Sequence, residues 1–210
     1  MDSLTYWILF LTASLALCIS PGPDLIYIVS KTVAQGRKTG IFASAGVCSG
    51  ALVHVTAAAF GLSAIMATSA TAFNVIKYIG AAYLFYLGIK TLISKHQVTE
   101  ITTIDRLSHW HTYRQGAFID ILNPKVAIFF MAFLPQFVRP EVGSQSLQIL
   151  VLGFLVVTIG FIVEVLVVLA TAKTTGLVKS NPKTSALLEK LLGVVFIGLG
   201  LRLVLSSQTK

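Results

Sequence analysis

Ser20-Pro21-Gly22-Pro23-Asp24, in the first apolar stretch, and Asn123-Pro124-Lys125, in the fourth, decide how this chain is read. Each sets a polar residue before a proline inside a segment apolar enough for the middle of a bilayer. Proline cannot donate the helical hydrogen bond but suits the first position of a helix, so Ser20-Pro21 and Asn123-Pro124 read as an N-cap followed by a new helix. The carbonyls of Leu17, Ile19 and Asp120 lose their usual donors and are left for a ligand, water or a neighbouring side chain. At ~1.5 Å per residue, Ser20 falls about 15 Å, and Asn123 about 10 Å, from the inner ends of their segments. Broken backbone at membrane depth is tolerated only where it is buried in protein or lines a cavity, and a matched pair of breaks is the mark of a transport site.

Ionisable side chains cluster around these breaks. Asp24 lies four residues after Ser20 and three before Tyr27, which sets Ser20, Asp24 and Tyr27 along one helical face. Asp120 precedes Asn123 by three. Glu164 and His54 fall in the middles of the fifth and second apolar stretches. A charge at the bilayer centre costs roughly 2.5–3.5 kcal/mol on insertion scales, and such residues face a cavity, a partner or a proton route. The substrate-binding set expected from sequence is therefore Ser20, Pro21, Gly22, Pro23, Asp24, Tyr27, Asp120, Asn123, Pro124 and Lys125, with Asp24, Asp120 and Glu164 as proton-coupling acids. The carboxylates suit a substrate ammonium or a proton. Lys125 has three options: pairing with Asp24, pairing with Asp120, or offering a cation to a substrate carboxylate. His54 reads as a satisfied packing residue rather than a ligand.

Composition agrees that lipid is the main solvent. Of 210 residues, 55% are hydrophobic and 11% charged, with a mean hydropathy of +0.84; a soluble domain carries about a quarter charged residues. The formal charge of +8 does not point to nucleic acid, because the basic residues lie between apolar runs rather than along one exposed stripe. Six stretches have spanning length: 4–30, 41–67, 70–94, 116–138, 147–172 and 186–206. The first lacks a cationic n-region and runs into Pro-Gly-Pro, so it reads as a retained helix rather than a cleaved signal. Eleven of the sixteen basic residues, among them Lys31, Arg37, Lys38, Arg114 and Lys173, flank the connections after spans one, three and five. The positive-inside bias makes that side cytoplasmic and both termini external, the alternative being an internal N-terminus with a first segment that does not span.

The expected fold class is all-α: a polytopic membrane protein of six transmembrane helices built as two inverted three-helix repeats, with helices one and four broken at Pro. It is one transporter domain over 1–210, with repeat one at 1–94, a cytoplasmic connection at 95–114 and repeat two at 115–210. Spans three and six share a pattern, Lys77-Tyr78-Ile79-Gly80 against Lys190-Leu191-Leu192-Gly193, and an odd number of helices per unit inverts the second copy. Gly46, Gly50, Gly153 and Gly160 read as helix-contact positions. Cys18 and Cys48 read as small core residues, and His109-Trp110-His111, in a polar connection without ligand partners at metal spacing, is a poor metal candidate. Neither a cofactor nor a metal is expected. No Ser/His or metal-ligand motif supports an enzyme. Export of inorganic or other small cations remains the alternative, since it too needs intramembrane carboxylates.

Together with Gly80-Ala81-Ala82-Tyr83-Leu84, the run Asn123 to Phe130 and Leu134-Pro135-Gln136-Phe137, the two breaks are similar to those of the LysE/RhtB family of bacterial amino-acid exporters, the homoserine-, threonine- and leucine-type efflux proteins, in order and spacing over nearly the whole chain. The resemblance implies a multi-pass carrier in the bacterial inner membrane. Its partners would be an amino-acid substrate, protons and the lipid bilayer, with a homo-oligomer left open and no nucleic acid. Asp120 departs from the family pattern, where an amide is the more usual residue; an extra acid bears on substrate charge or on coupling.

Overall fold

A computed structural model describes residues 3–62 and 108–174, with isolated helical positions between 71 and 89 and between 194 and 204. The expected third and sixth spans, and the connection up to 107, lie largely outside the described residues. Everything described in regular structure is helical. Two helices, Arg37–Gly61 and Gln145–Lys173, are long and apolar enough to cross a membrane, and two bent pairs bring the total to four if each pair is one span.

The first pair is α1 (Ser3–Ile19) and α2 (Pro23–Gln35), bent by 54°. Ser20 closes α1 by donating its N–H to Ala16 O at 3.0 Å. The N-cap of α2 is Gly22, extended at φ −150° and ψ 176°, with Pro23 in the first turn. This corrects the expectation that Ser20 caps the new helix. A residue that precedes proline is pushed out of the α region, so Gly22 cannot turn helical ahead of Pro23. Gly36, at φ +84°, joins α2 directly to α3 (Arg37–Ala57), a reversal that only glycine makes without strain. A π-helical turn, Ala58–Leu62, continues α3.

The second pair, α4 (His109–Ile121) followed by α5 (Pro124–Ile128), is bent by 53°. Here the sequence expectation holds: Asn123 is extended, and its side chain accepts from Lys125 N at 3.1 Å. From α5 the chain tightens through a π-helical turn at Phe129–Phe133 into a 3₁₀ turn at Leu134–Phe137. The start of α4 at His109, ahead of the expected 116, has two physical causes. Ser108 caps the helix by accepting from His111 N at 3.2 Å, and the His109 ring stacks on Phe42 at 4.9 Å. Finally α6 (Gln145–Thr174) runs 30 residues, about 45 Å, enough to cross with tilt.

Helix α3 is central, packing against α4, α6 and α2. Its approach to α4 is backbone to backbone. A Cβ on Gly50 would lie 2.6 Å from Ala117 O, and one on Gly116 would lie 2.7 Å from Ala43 O, while one on Gly46 would collide with Tyr113 O. Small residues four apart permit this contact. On α6, Gly153 and Gly160 make room for side chains instead, those of Val55 and Cys18.

Two apolar clusters result. The larger gathers Phe10, Phe129, Phe130, Phe133, Phe137 and neighbours; the smaller joins Tyr27, Ile28, Ala43, Val47 and Val168. The smaller cluster ties the C-terminal half of α6 to the α2–α3 corner, so Lys31, Arg37, Lys38 and Lys173 gather toward one end of the bundle. At the opposite end, Tyr6 donates to Phe137 O at 2.9 Å, Arg139 lies 4.4 Å over the Tyr6 ring, and Gln148 bonds both backbone groups of Arg139.

Candidate functional site

The two breaks meet. From the first turn of α5, Lys125 reaches back to the first break, its Nζ 3.3 Å and 3.2 Å from the two Asp24 carboxylate oxygens and 3.2 Å from Ser20 O. An ammonium has three N–H groups, and all three are engaged. Lys125 is 4% exposed and Asp24 7%. Of the three options for Lys125, the structure takes the pair with Asp24. Gly22 makes the approach possible, since a Cβ there would collide with the Asp24 carboxylate and lie 2.7 Å from Lys125 Nζ.

Asp120 sits at the end of α4, 1% exposed. The carbonyl that Pro124 deprives of a donor does not stay free: His54 Nε2 lies 3.0 Å from Asp120 O, which also accepts from Asn123 N at 2.9 Å. His54 is thus the satisfied packing residue expected from sequence. The Asp120 carboxylate is a different matter. Its Oδ2 is buried and has no hydrogen-bond partner among the described residues, and the same holds for the Asn123 amide Nδ2. An acceptor and a donor, three residues apart on one break, are both left open.

Glu164, on α6, accepts from Ser44 Oγ at 2.6 Å and from Cys48 Sγ at 3.5 Å. Asp24, Asp120 and Glu164 all line one cavity of about 40 Å³. Sequence alone set no two of these acids together. Cys18 and Cys48 form part of the wall, and the rest is apolar, with Leu17, Val47, Val126, Phe130, Val156 and Val157. The space suits one to three waters. It lies between the two apolar clusters, with Phe130 and Val156 belonging to one and Val47 to the other. Three carboxyl groups and one ammonium therefore share a site with oily walls.

The other expected residues fall outside the cavity. Pro21, Pro23 and Pro124 are exposed and act by shaping the breaks. Ser20 and Asn123 are buried beside Lys125 and hold it through a carbonyl and a side-chain oxygen. Tyr27 turns away from the cavity: its hydroxyl donates to Thr112 O at 2.8 Å and lies 3.3 Å from Gln115 Oε1, fastening α2 to α4. Sequence reasoning missed Ser44, Cys18 and Cys48. Ser44 and Cys48, four apart in an apolar helix, form a short polar stripe that carries the signal for a buried acid opposite.

Comparison with known proteins gives a consistent picture. The family described as LysE type translocator matches residues 15–207. An uncharacterized membrane protein of Vibrio cholerae serotype O1 is 33% identical over 197 residues, covering 94% of this chain and 95% of that protein. Leucine efflux proteins of Salmonella choleraesuis and Salmonella paratyphi A are each 26% identical over 204 residues, covering 95% of this chain and 94% of theirs. No solved structure matches.

Proposed function

The chain belongs to the LysE type translocator family, and we propose that it is a secondary transporter exporting amino acids or close derivatives across the bacterial inner membrane by proton antiport. Neutral or hydroxylated substrates, leucine, threonine or homoserine, are favoured. The observation that carries this reading is the meeting of two broken spans at one cavity, where three buried acids face apolar walls and Lys125 pairs with one of them. Relatives named leucine efflux proteins extend over nearly the whole chain, and the aliphatic lining suits such a side chain.

With both Asp24 oxygens committed to Lys125, the substrate ammonium faces Asp120, whose Oδ2 is open. The substrate carboxylate faces the capped break at Asn123, with its open Nδ2. A cavity of about 40 Å³ has to widen to admit an amino acid. Either rocking of one three-helix repeat against the other, which parts the two breaks, or displacement of α6 past breaks that stay joined provides that motion and alternates access. The near-equal bends of 54° and 53° support an inverted repeat, and the cations gathered at the α2–α3 corner support an external N-terminus.

The surplus of carboxylates favours a second reading, export of a small inorganic cation. Both are tested by efflux of labelled leucine, threonine, homoserine and lysine from proteoliposomes holding the purified protein, with and without a pH gradient. Gradient-dependent efflux of a neutral amino acid supports the proposal. Efflux of none of the panel, with divalent or monovalent metal flux instead, replaces it by the second reading.

A further inference from the structure

Among the described residues, Asp120 and Glu164 are the cavity acids that no cation answers. Lys125 lies against Asp24 with all three of its N–H groups spoken for. Around the other two acids, the facing groups from each packed element are Cys18 of α1, Asp24 of α2, Ser44, Cys48 and His54 of α3, and Lys125 of α5. Of these only Lys125 carries a fixed positive charge, and His54 is turned to the Asp120 carbonyl rather than to its carboxylate. Asp120 lines the cavity and is more than nine-tenths buried, and its Oδ2 has no hydrogen-bond partner among the described residues. Glu164 accepts two weak-acid donors on a single oxygen, Oε2. Two buried carboxylates without a cation would cost several kcal/mol per charge, and a proton on each removes that cost.

We propose that Asp120 and Glu164 are two separate proton carriers of this cavity, and that two protons enter for each substrate that leaves. The second clause rests on the export reading; the first does not. In the cycle, each acid takes a proton from the external medium onto a carboxylate oxygen when the cavity opens outward and releases it to the cytoplasm when it opens inward. The substrate ammonium replaces the proton at Asp120, and the proton at Glu164 leaves toward the inner side.

Infrared difference spectra of the purified full chain in nanodiscs, between mildly acidic and alkaline buffer, test the pair without any substrate; solvent-exposed acids stay ionised over most of that range. Two carbonyl bands of protonated carboxyl groups are expected, one absent in Asp120→Asn and the other in Glu164→Gln. A single band, no band, or a band that survives both substitutions overturns the proposal. The flux arm uses proteoliposomes with the membrane potential held at zero and the outside one pH unit more acidic. Leucine flux should stall at a gradient of about 100-fold outward in the wild type, and at about 10-fold in either variant. A wild-type stall near 10-fold overturns the two-proton count even where a variant does not fold. Absence of any amino-acid flux sinks the export reading and the count that rests on it, while the infrared result still decides which acids carry protons.

Discussion

Removing the Lys125 ammonium should unfasten the two breaks. In Lys125→Met the side-chain volume is nearly kept, but Asp24 is left buried with no cation, and Ser20 O loses its donor at 3.2 Å. Breaking one side of a buried ion pair costs about 3–5 kcal/mol, because the remaining charge is stranded, whereas replacing both partners with apolar groups is often neutral. The same cost is expected for Asp24→Leu, which strands the ammonium. Asp24→Leu/Lys125→Met should then lie within about 1 kcal/mol of the wild type. The difference between the sum of the singles and the double is the coupling of the pair. Unfolding by SDS titration in bicelles, followed by helix content, measures all four corners of this cycle. Singles within about 0.5 kcal/mol of the wild type would show that water reaches the pair, and a double as costly as the two singles together would show no coupling; either outcome refutes the fastening role.

Three further substitutions probe what positions the site. Gly50→Leu puts a side chain where a Cβ alone already lies 2.6 Å from Ala117 O, so α3 and α4 must part and stability should fall by at least about 1–3 kcal/mol in the same titration. Tyr27→Phe removes the hydrogen bond to Thr112 O and should lower stability by about 1 kcal/mol while the KM for leucine export is unchanged; a raised KM would return Tyr27 to the binding site. Gly36→Ala forces a side chain into φ +84° and should cost about 1–2 kcal/mol, read as an earlier midpoint in the titration, with Lys38→Ala as the neutral control.

Local rules made half of the site legible. Asn123-Pro124 reads correctly as cap and first turn because both the N-cap bond and the proline restraint act within three residues. Ser20-Pro21 fails by the same kind of rule, since the later Pro23 overrides it through Gly22. Partner choice is another kind of question. Lys125 and Asp24 are 101 residues apart, and Glu164 meets Ser44 across 120. No spacing rule reaches that far, and the convergence of the three acids depends on α3 lying between α4 and α6. Tyr27 shares the face of Asp24 in sequence, while in the fold its ring lies against α4, beside Gly116, where a Cβ would already lie 3.3 Å from Tyr27. His54 reads as a packing residue from sequence, but its partner, Asp120 O, lies 66 residues away and is seen only in the fold.

The ion pair also limits how the cavity can open. If separating Asp24 from Lys125 costs about 3–5 kcal/mol, a motion that keeps them together is favoured, and the breaks of α1–α2 and α4–α5 travel as one body. The wall left to move is α6, which carries Glu164. It meets α1 and α3 at Gly160 and Gly153, opposite Cys18 Sγ and the Val55 methyls, and its motion has to shift Ile149, Leu152 and Val156 in the larger cluster, Val168 in the smaller and the Glu164–Ser44 hydrogen bond. Spin labels decide between this motion and one that splits the breaks. On a background with Cys18→Ala and Cys48→Ala, one pair is placed at exposed Ile26 and Leu122, beside the two breaks, and another at Leu122 and exposed Ile162 on α6. Addition of leucine should leave the first distance unchanged and shift or broaden the second. A change confined to the first pair would mean that the ion pair opens in transport, and that the cost of separating it is met by the substrate's own carboxylate and ammonium taking the places of Asp24 and Lys125.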